Sequence, residues 1–196
     1  MSTAAWPTRI PLTQADDANL VARLLGGEAQ VFDQLVALYQ QRVARLAYRL
    51  LGQSGDVDDV VQEVFVIVLE KAHRFRGDCS VWTWLTTITL NQCLSRQRRL
   101  SLFRRIRWRL THRDSESPAD CRAMQDETNR RVRLAVDELP SRDREVIVLH
   151  YLEGHQTADM AKMLGATVNT IEVRLHRARR KLKTVLADIA TEFRNE

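Results

Sequence analysis

TADMAKMLGATVNTIEVRLHRARRKL, residues 157–182, contains two helical segments separated by a glycine. Its first part has apolar residues at helical spacing, among them Met160, Ala161 and Leu164. Gly165 then interrupts the pattern, and a longer basic segment follows Thr167, a residue type that caps helices. This layout predicts a helix-turn-helix in which the second helix is the longer one.

The second helix of this motif has one apolar side and one polar side. Apolar residues that recur at spacings of four and three predict its buried stripe: Ile171, Leu175, Ala178, Leu182 and Val185. The residues then facing outward are Asn169, Glu172, Val173, His176, Arg177 and Arg180. In DNA-binding helix-turn-helix proteins this face enters the major groove. A helical hairpin with an Arg-rich solvated surface, or a protein-binding unit, has the same pattern.

The rest of the chain also predicts helices, because Gly and Pro are scarce and apolar spacings of three and four prevail. We expect helices from Thr13 to the glycines at 26–27, then over about 28–51, 56–71, 80–99, 126–138, 141–153, 156–164 and 167–189. Periodicity fades from about 104 to 126, and residues 114–118 are typical of a flexible linker. The prediction is an all-α protein with two small helical domains, 13–103 and 126–190, joined by a linker over 104–125.

Composition and charge fit a soluble DNA-associated protein. With 196 residues, 44% of them hydrophobic and 28% charged, the chain can form two small packed domains. Its net charge is +5, and the arginines cluster over 96–109 and 174–183. Such clusters are common on solvated helix faces, but two of them also favour a polyanionic partner.

Several classes of protein lack support in the sequence. The three cysteines have no metal-binding or disulfide spacing, so we expect no metal and no cofactor. No targeting segment and no apolar run of about 20 residues occur, which favours a cytoplasmic protein. A nuclease or another enzyme would need clustered carboxylates, a phosphate loop or a nucleophile–base pair, and none is recognisable.

An acidic helix is predicted around residues 56–65, DVDDVVQEVF. Its valines at 57, 60, 61, 64 and 68 form a buried stripe, and the opposite face carries Asp59, Gln62, Glu63, Val66 and Glu70. An acidic face repels phosphates, so it suits a protein partner better than nucleic acid. A solvated helix face is the alternative.

A loop rich in aromatic residues follows, FRGDCSVWTWL at 75–85, and leads into a helix with Asn91 and a basic end. Aromatic side chains can stack on unpaired bases while arginines neutralise phosphates, which suits single-stranded DNA. The spacing of Trp84, Leu85 and Ile88 is by itself more typical of a core.

These motifs together resemble the extracytoplasmic-function (ECF) sigma factors over about 13–190. LPSRDREV at 139–146, EG at 153–154, LG at 164–165, NTI at 169–171 and RLHRAR at 174–179 are similar to region 4. The helix at 56–65 resembles region 2.2, and FRGD, TWL and Asn91 resemble regions 2.3 and 2.4. Glu172 stands where a basic residue is common, Val173 where Ser is common, and Cys79 where a small polar residue is common.

The resemblance implies a non-enzymatic sigma factor that binds core RNA polymerase and promoter DNA, often under the control of an anti-sigma factor. It implies a polymerase-binding set of Asp56, Asp59, Gln62, Glu63, Phe65 and Val66. It implies a minus-10 set, near a flipped base, of Arg76, Asp78, Ser80, Trp82, Asn91, Arg96 and Arg99. It implies a minus-35 set of Asn169, Thr170, Glu172, Val173, Arg174, His176, Arg177 and Arg180. A stand-alone helix-turn-helix regulator remains the alternative, as does a module that sequesters another regulator.

Overall fold

The computed structural model describes residues 14–26, 28–52, 57–110 and 127–192, and within those ranges it is helical with no strand. This confirms the all-α prediction. The helices are α1 (Gln14–Leu25), α2 (Ala29–Leu51), α3 (Val57–Lys71), α4 (Val81–Leu110), α5 (Glu127–Asp137), α6 (Ser141–Ile147), α7 (Thr157–Leu164) and α8 (Val168–Glu192). A 3₁₀ turn, Ala72–Arg74, follows α3, and a π-helical turn, Val148–Leu152, continues α6.

The N-terminal unit is built from α1 to α4, with α2, α3 and α4 packed against one another. Each of these helices has apolar residues at spacings of three and four, so one stripe of each faces the others. The stripes meet in a core whose most buried members include Leu35, Val43, Leu46, Leu50, Val60, Val64, Val68, Leu85 and Leu90. The acidic helix and the aromatic loop therefore belong to one packed unit.

The C-terminal unit contains the predicted helix-turn-helix. Gly165 ends α7 in the left-handed conformation, with φ 58°, which favours glycine. The Thr170 amide donates to Thr167 Oγ1 over 3.2 Å, so Thr167 caps the start of α8 as its residue type predicts. Helix α8 packs on α6, α7 and α5. The turn geometry thus fixes the direction of α8 on the rest of the unit.

The two units contact each other where α2 ends. The Leu50 carbonyl accepts hydrogen bonds from Gln97 Nε2 of α4, at 2.9 Å, and from Arg144 Nη1 of α6, at 3.5 Å. A Cβ atom on Gly52 would lie 2.7 Å from Arg144 Nη1, and Gly52 has φ 66°. Glycine is favoured there by the backbone conformation, and a larger residue would also have to displace the end of the Arg144 side chain.

Helix α4 is longer than the sequence predicts. We expected it to end near residue 99, but it continues to Leu110, into the first part of the predicted linker over 104–125. Residues 100–110 contain neither Gly nor Pro, and Leu and Arg favour helix, so the helix has no local reason to stop when its apolar periodicity fades. Thr13 and the linker segment 114–118 lie outside the described residues.

Candidate nucleic-acid and partner-binding surfaces

Helix α8 presents the outward face that its periodicity predicts. Ile171, Leu175 and Ala178 are buried and Leu182 is half-buried, whereas Val185 lies outside the residues whose burial is described. The six predicted outward residues are all exposed: Asn169, Glu172, Val173, His176, Arg177 and Arg180. A face of this composition can offer donors, an acceptor and an apolar contact to base edges in a major groove.

Two other residues of the predicted minus-35 set lie differently. Thr170 is half-buried, and its hydroxyl is 2.8 Å from that of Thr167, in the cap of α8. Arg174 is half-buried and lines a groove of about 370 Å³ between α4 and the C-terminal unit, together with Arg98 and Arg142. The structure therefore brings six of the eight residues together on one face and places Arg174 to one side of it.

The outer face of α3 is acidic with an apolar patch. Asp59, Gln62, Glu63 and Val66 are exposed as predicted, and Asp56 lies outside the described residues. Val66 is 55% exposed, and Leu69, one helical turn later, is 56% exposed. The sequence analysis missed Leu69, although its spacing of three from Val66 and seven from Gln62 places it on the same face.

Phe65 was predicted to contact a partner, and the structure corrects that prediction. Its side chain is only 6% exposed and packs edge-on against Phe32 of α2, with the ring centroids 6.5 Å apart. The residue lies between the buried and exposed sides of α3, and an aromatic ring on α2 draws it inward. Phe65 thus supports the outer face of α3 from beneath.

Arg96 of α4 joins two surfaces that the sequence analysis treated separately. Its Nη2 lies 2.8 Å from Asp59 Oδ2, and its Nη1 lies 3.5 Å from Glu63 Oε1. Arg96 was assigned to DNA, but here it pairs with the acidic face of α3. The basic side of α4 and the acidic side of α3 are therefore immediate neighbours.

The loop before α4 is held by its own residues. Gly77 has φ 76°, which lets the chain turn, and the Thr83 amide donates to Ser80 Oγ over 3.1 Å to cap α4. Arg76, Asp78, Asn91 and Arg99 are exposed, as a DNA-binding role requires. The Ser80 hydroxyl is engaged in the cap, so its contribution is to the shape of the loop.

Trp82 was predicted to lie in the DNA-binding set, and the structure places it in the core. It is 6% exposed, and its ring stacks on that of Tyr39 of α2, with 6.2 Å between the ring centroids. The guanidinium of Arg42, also on α2, lies 3.8 Å from the Trp82 ring centroid. A cation at that distance is attracted to the negative face of the indole. Trp82 is therefore covered by α2 and is not available as a stacking platform for a base.

Both described cysteines have a thiol pKa above its ordinary value. Burial raises the pKa of the Cys93 thiol to about 12. Burial also raises the pKa of Cys79, with the carboxylates of Asp78 and Asp159 adding to the effect. Both are free cysteines, and among the described residues no group of His, Cys, Asp or Glu is arranged to hold a metal ion.

Two glutamates of the C-terminal unit are unusually buried. Burial raises the pKa of Glu145 to about 7, although the nearby Arg174, Arg142 and other guanidiniums act in the opposite direction. Burial also raises the pKa of Glu153, again opposed by arginines, of which Arg49 is the nearest, at 2.8 Å. Both glutamates therefore place a buried carboxylate close to several arginines, in the region where the two units meet.

Family models match both units. The model described as Sigma-70 region 2 matches residues 35–103, and the model described as Sigma-70, region 4, matches residues 129–182. In the part of the chain that the structure covers, no helix has the length and apolar character needed to cross a membrane.

Known proteins resemble the chain over most of its length. The ECF RNA polymerase sigma factor SigM of Mycobacterium tuberculosis is 32% identical over 91% of this chain and 88% of its own. The RNA polymerase sigma-H factor of Pseudomonas aeruginosa is 31% identical over 92% of this chain and 99% of its own. The solved structure of CnrH in complex with the cytosolic domain of CnrY has a TM-score of 0.61 and 30% identity over 88% of this chain and 97% of that one. The sigma factor RpoE of Bartonella quintana, in complex with the anti-sigma factor NepR, shares the fold with a TM-score of 0.65.

Proposed function

Because the chain belongs to the ECF group of the sigma-70 family, which directs promoter-specific transcription initiation by RNA polymerase, we propose that three of its surfaces divide that function among them. The outer face of α3 binds core polymerase. The loop at 75–80 and the exposed polar face of α4 bind the minus-10 element. The outward face of α8 binds the minus-35 element.

The single observation that carries this proposal is the contrast between the α3 and α8 faces. The α3 face combines acidic residues with the exposed apolar pair Val66 and Leu69, a combination that repels DNA and suits a protein. The α8 face combines exposed arginines with Glu172 and Val173, which suits base edges. A stand-alone regulator would leave the apolar pair on α3 without a partner.

The domain boundaries that accompany this proposal are 13–103 for the polymerase and minus-10 domain, 104–125 for the linker and 126–190 for the minus-35 domain. The polymerase performs the chemistry, and we propose that this chain has no catalytic activity of its own and acts in the cytoplasm, where polymerase is. We also propose an anti-sigma factor as a partner, since the solved relative RpoE is seen with one.

The α3 assignment is tested with Val66→Ser combined with Leu69→Ser. Each side chain has about half of its surface left to bury, so loss of both should weaken binding to core polymerase by roughly 10-fold to 100-fold. The measurement is a competition titration against a labelled wild-type chain for core polymerase. Leu25→Ser is the matched control, because Leu25 is 52% exposed on α1 of the same unit. Full binding by the folded double variant would contradict the α3 assignment.

A further inference from the structure

Three arginines follow one another along a single side of α2. Arg42, Arg45 and Arg49 are spaced by three and four residues, so helical geometry places them on one face. Leu46 and Leu50, which are buried, belong to the neighbouring side of the helix, so the arginines lie along the edge of the core. We name Arg42, Arg45 and Arg49 the α2 arginine strip.

The α2 arginine strip begins beside the loop that we assign to the minus-10 element. The Arg42 guanidinium lies 3.8 Å from the ring centroid of Trp82, which stands in the first turn of α4, two residues after Ser80. The strip therefore extends along α2 from the edge of that loop. A strand held by the loop has a line of guanidinium groups next to it.

A glutamate from the C-terminal unit covers the strip in this structure. Glu153 Oε1 lies 2.8 Å from Arg49 Nη1, and Glu153 Oε2 lies 4.0 Å from Arg42 Nη2. The Glu153 side chain is only 5% exposed, whereas those of Arg42 and Arg49 are 42% and 37% exposed. The carboxylate thus lies against the strip, and the arginines keep an open side.

The backbone just before α7 presents Glu153 in this position. The Glu153 amide donates to the Val148 carbonyl over 3.1 Å and so closes the π-helical turn, and Gly154 follows with φ 75°. Only glycine adopts that conformation readily, so the chain reverses sharply after Glu153. The side chain is held at the apex of this reversal, facing α2.

Glu153 brings one negative charge to three guanidiniums, whereas single-stranded DNA brings one for each nucleotide. A carboxylate and a phosphodiester each offer two oxygens to arginine in similar geometry. Binding of several phosphates would also release counterions, which the single carboxylate does not do. The strip is therefore better matched to a polyanion than to the carboxylate that occupies it.

We infer that the α2 arginine strip binds the sugar-phosphate backbone of single-stranded promoter DNA next to the minus-10 loop, and that Glu153 masks the strip in the free protein. The inference rests on the proposed function, because the loop must hold a melted strand. When the C-terminal unit leaves α2, Glu153 leaves with it and phosphates take its place. Because phosphate contacts carry no sequence information, a probe of any sequence reports them.

The test is binding of a labelled, random-sequence single-stranded DNA of about 20 nucleotides to the full chain. Glu153→Gln keeps the size of the side chain and removes the competing charge, so binding should tighten roughly threefold to tenfold at about 0.1 M salt. Arg45→Ala should weaken binding. It should also make the plot of log affinity against log salt less steep by about 0.7, the contribution of one phosphate contact.

The ion pair between Arg23 of α1 and Glu28, the residue before α2, has 2.7 Å between Arg23 Nη2 and Glu28 Oε2 and supplies matched controls. Arg23→Ala and Glu28→Gln make the same chemical changes in the N-terminal unit, away from the strip, and should leave affinity and slope unchanged. Unchanged affinity and slope for Glu153→Gln and Arg45→Ala would overturn the inference. If Glu153→Gln does not fold, the exposed Arg45→Ala decides alone. Promoter-directed transcription by the wild-type chain with core polymerase tests the proposed function separately, so either can fail without the other.

Discussion

At the scale of single residues, Glu145 has the most unusual environment in the described structure. It is 4% exposed, and its Oε1 has no hydrogen-bond partner among the described residues. A buried carboxylate is costly in its charged form, which is why burial raises its pKa from 4.5 to about 7. The arginines that line the same groove reduce this effect without removing it.

The raised pKa of Glu145 makes the stability of the protein depend on pH. The folded chain holds the Glu145 proton more tightly than the unfolded chain, so the free energy of unfolding falls as pH rises from 4.5 to about 7. Glu145→Gln should raise that free energy by about 1–3 kcal/mol at about pH 8 and change it little at about pH 4. Urea unfolding at the two pH values measures the difference. The exposed Glu138→Gln is the control, and an equal gain at both pH values would show that Glu145 is charged throughout.

Glu172 is the acidic residue on the outward face of α8, which we propose binds the minus-35 element. It is exposed on the outward face of α8, and the alternative to a base contact is an ion pair with His176 or Arg180 of the same helix. A carboxylate that faces a major groove can accept a hydrogen bond from the amino group of cytosine. Beside it Val173 can contact a thymine methyl group, and Arg177 can address guanine.

We therefore predict that Glu172→Lys relaxes or changes the preferred base at one position of the upstream element. A good base contact is worth about 1–3 kcal/mol of discrimination, so the change is readable in sequences selected from a randomised duplex pool by the holoenzyme. Glu138→Lys makes the same change of charge in the same unit and should select the wild-type sequence. Identical selected sequences, with only a uniform gain in affinity for Glu172→Lys, would mean that Glu172 reads no base.

At the scale of helices, the order and type of the elements were predictable because the apolar period is regular and glycines mark the turns. The α7–Gly165–α8 motif illustrates this, since every signal that defines it lies within 26 residues. The apolar spacing within one helix does not determine whether a residue at the edge of its apolar side is buried or exposed. Phe65 and Trp82 were placed on binding surfaces, yet Phe32 and Tyr39 of α2 draw them into the core.

Contacts between distant helices were beyond the reach of sequence patterns. Arg49 and Glu153 are 104 residues apart, and nothing near either residue predicts their ion pair. The pairing of Arg96 with Asp59, across 37 residues, was missed for the same reason. Periodicity shows which side of a helix faces a core, but tertiary packing chooses the partner. The faces of α3 and α8 could therefore be predicted, whereas the contact between α2 and Glu153 could not.

At the scale of the whole molecule, the closed arrangement covers one of the surfaces that we propose to bind DNA and leaves another open. Glu153 lies against the α2 arginine strip, while the outward face of α8 is exposed in the same structure. Docking of α8 on duplex DNA is thus compatible with closure, whereas in the closed arrangement Glu153 competes with phosphates for the α2 arginine strip. If the two units separate, α8 can stay on the duplex upstream element while the α2 arginine strip becomes available to the melted strand downstream.

The closed arrangement is tested by reversing charges across it. Glu153→Arg adds a fourth guanidinium against Arg42 and Arg49 in a site where its side chain is nearly buried, and burial without an opposite charge is strongly unfavourable. The two units should separate, which raises the radius of gyration from small-angle scattering and lowers the sedimentation coefficient. Adding Arg49→Glu restores an opposite pair with its sign reversed, so the double variant should return toward wild-type dimensions. Wild-type dimensions for the folded single variant would mean that other contacts between the units, such as the Arg144 hydrogen bond to the Leu50 carbonyl, hold them together without the ion pair.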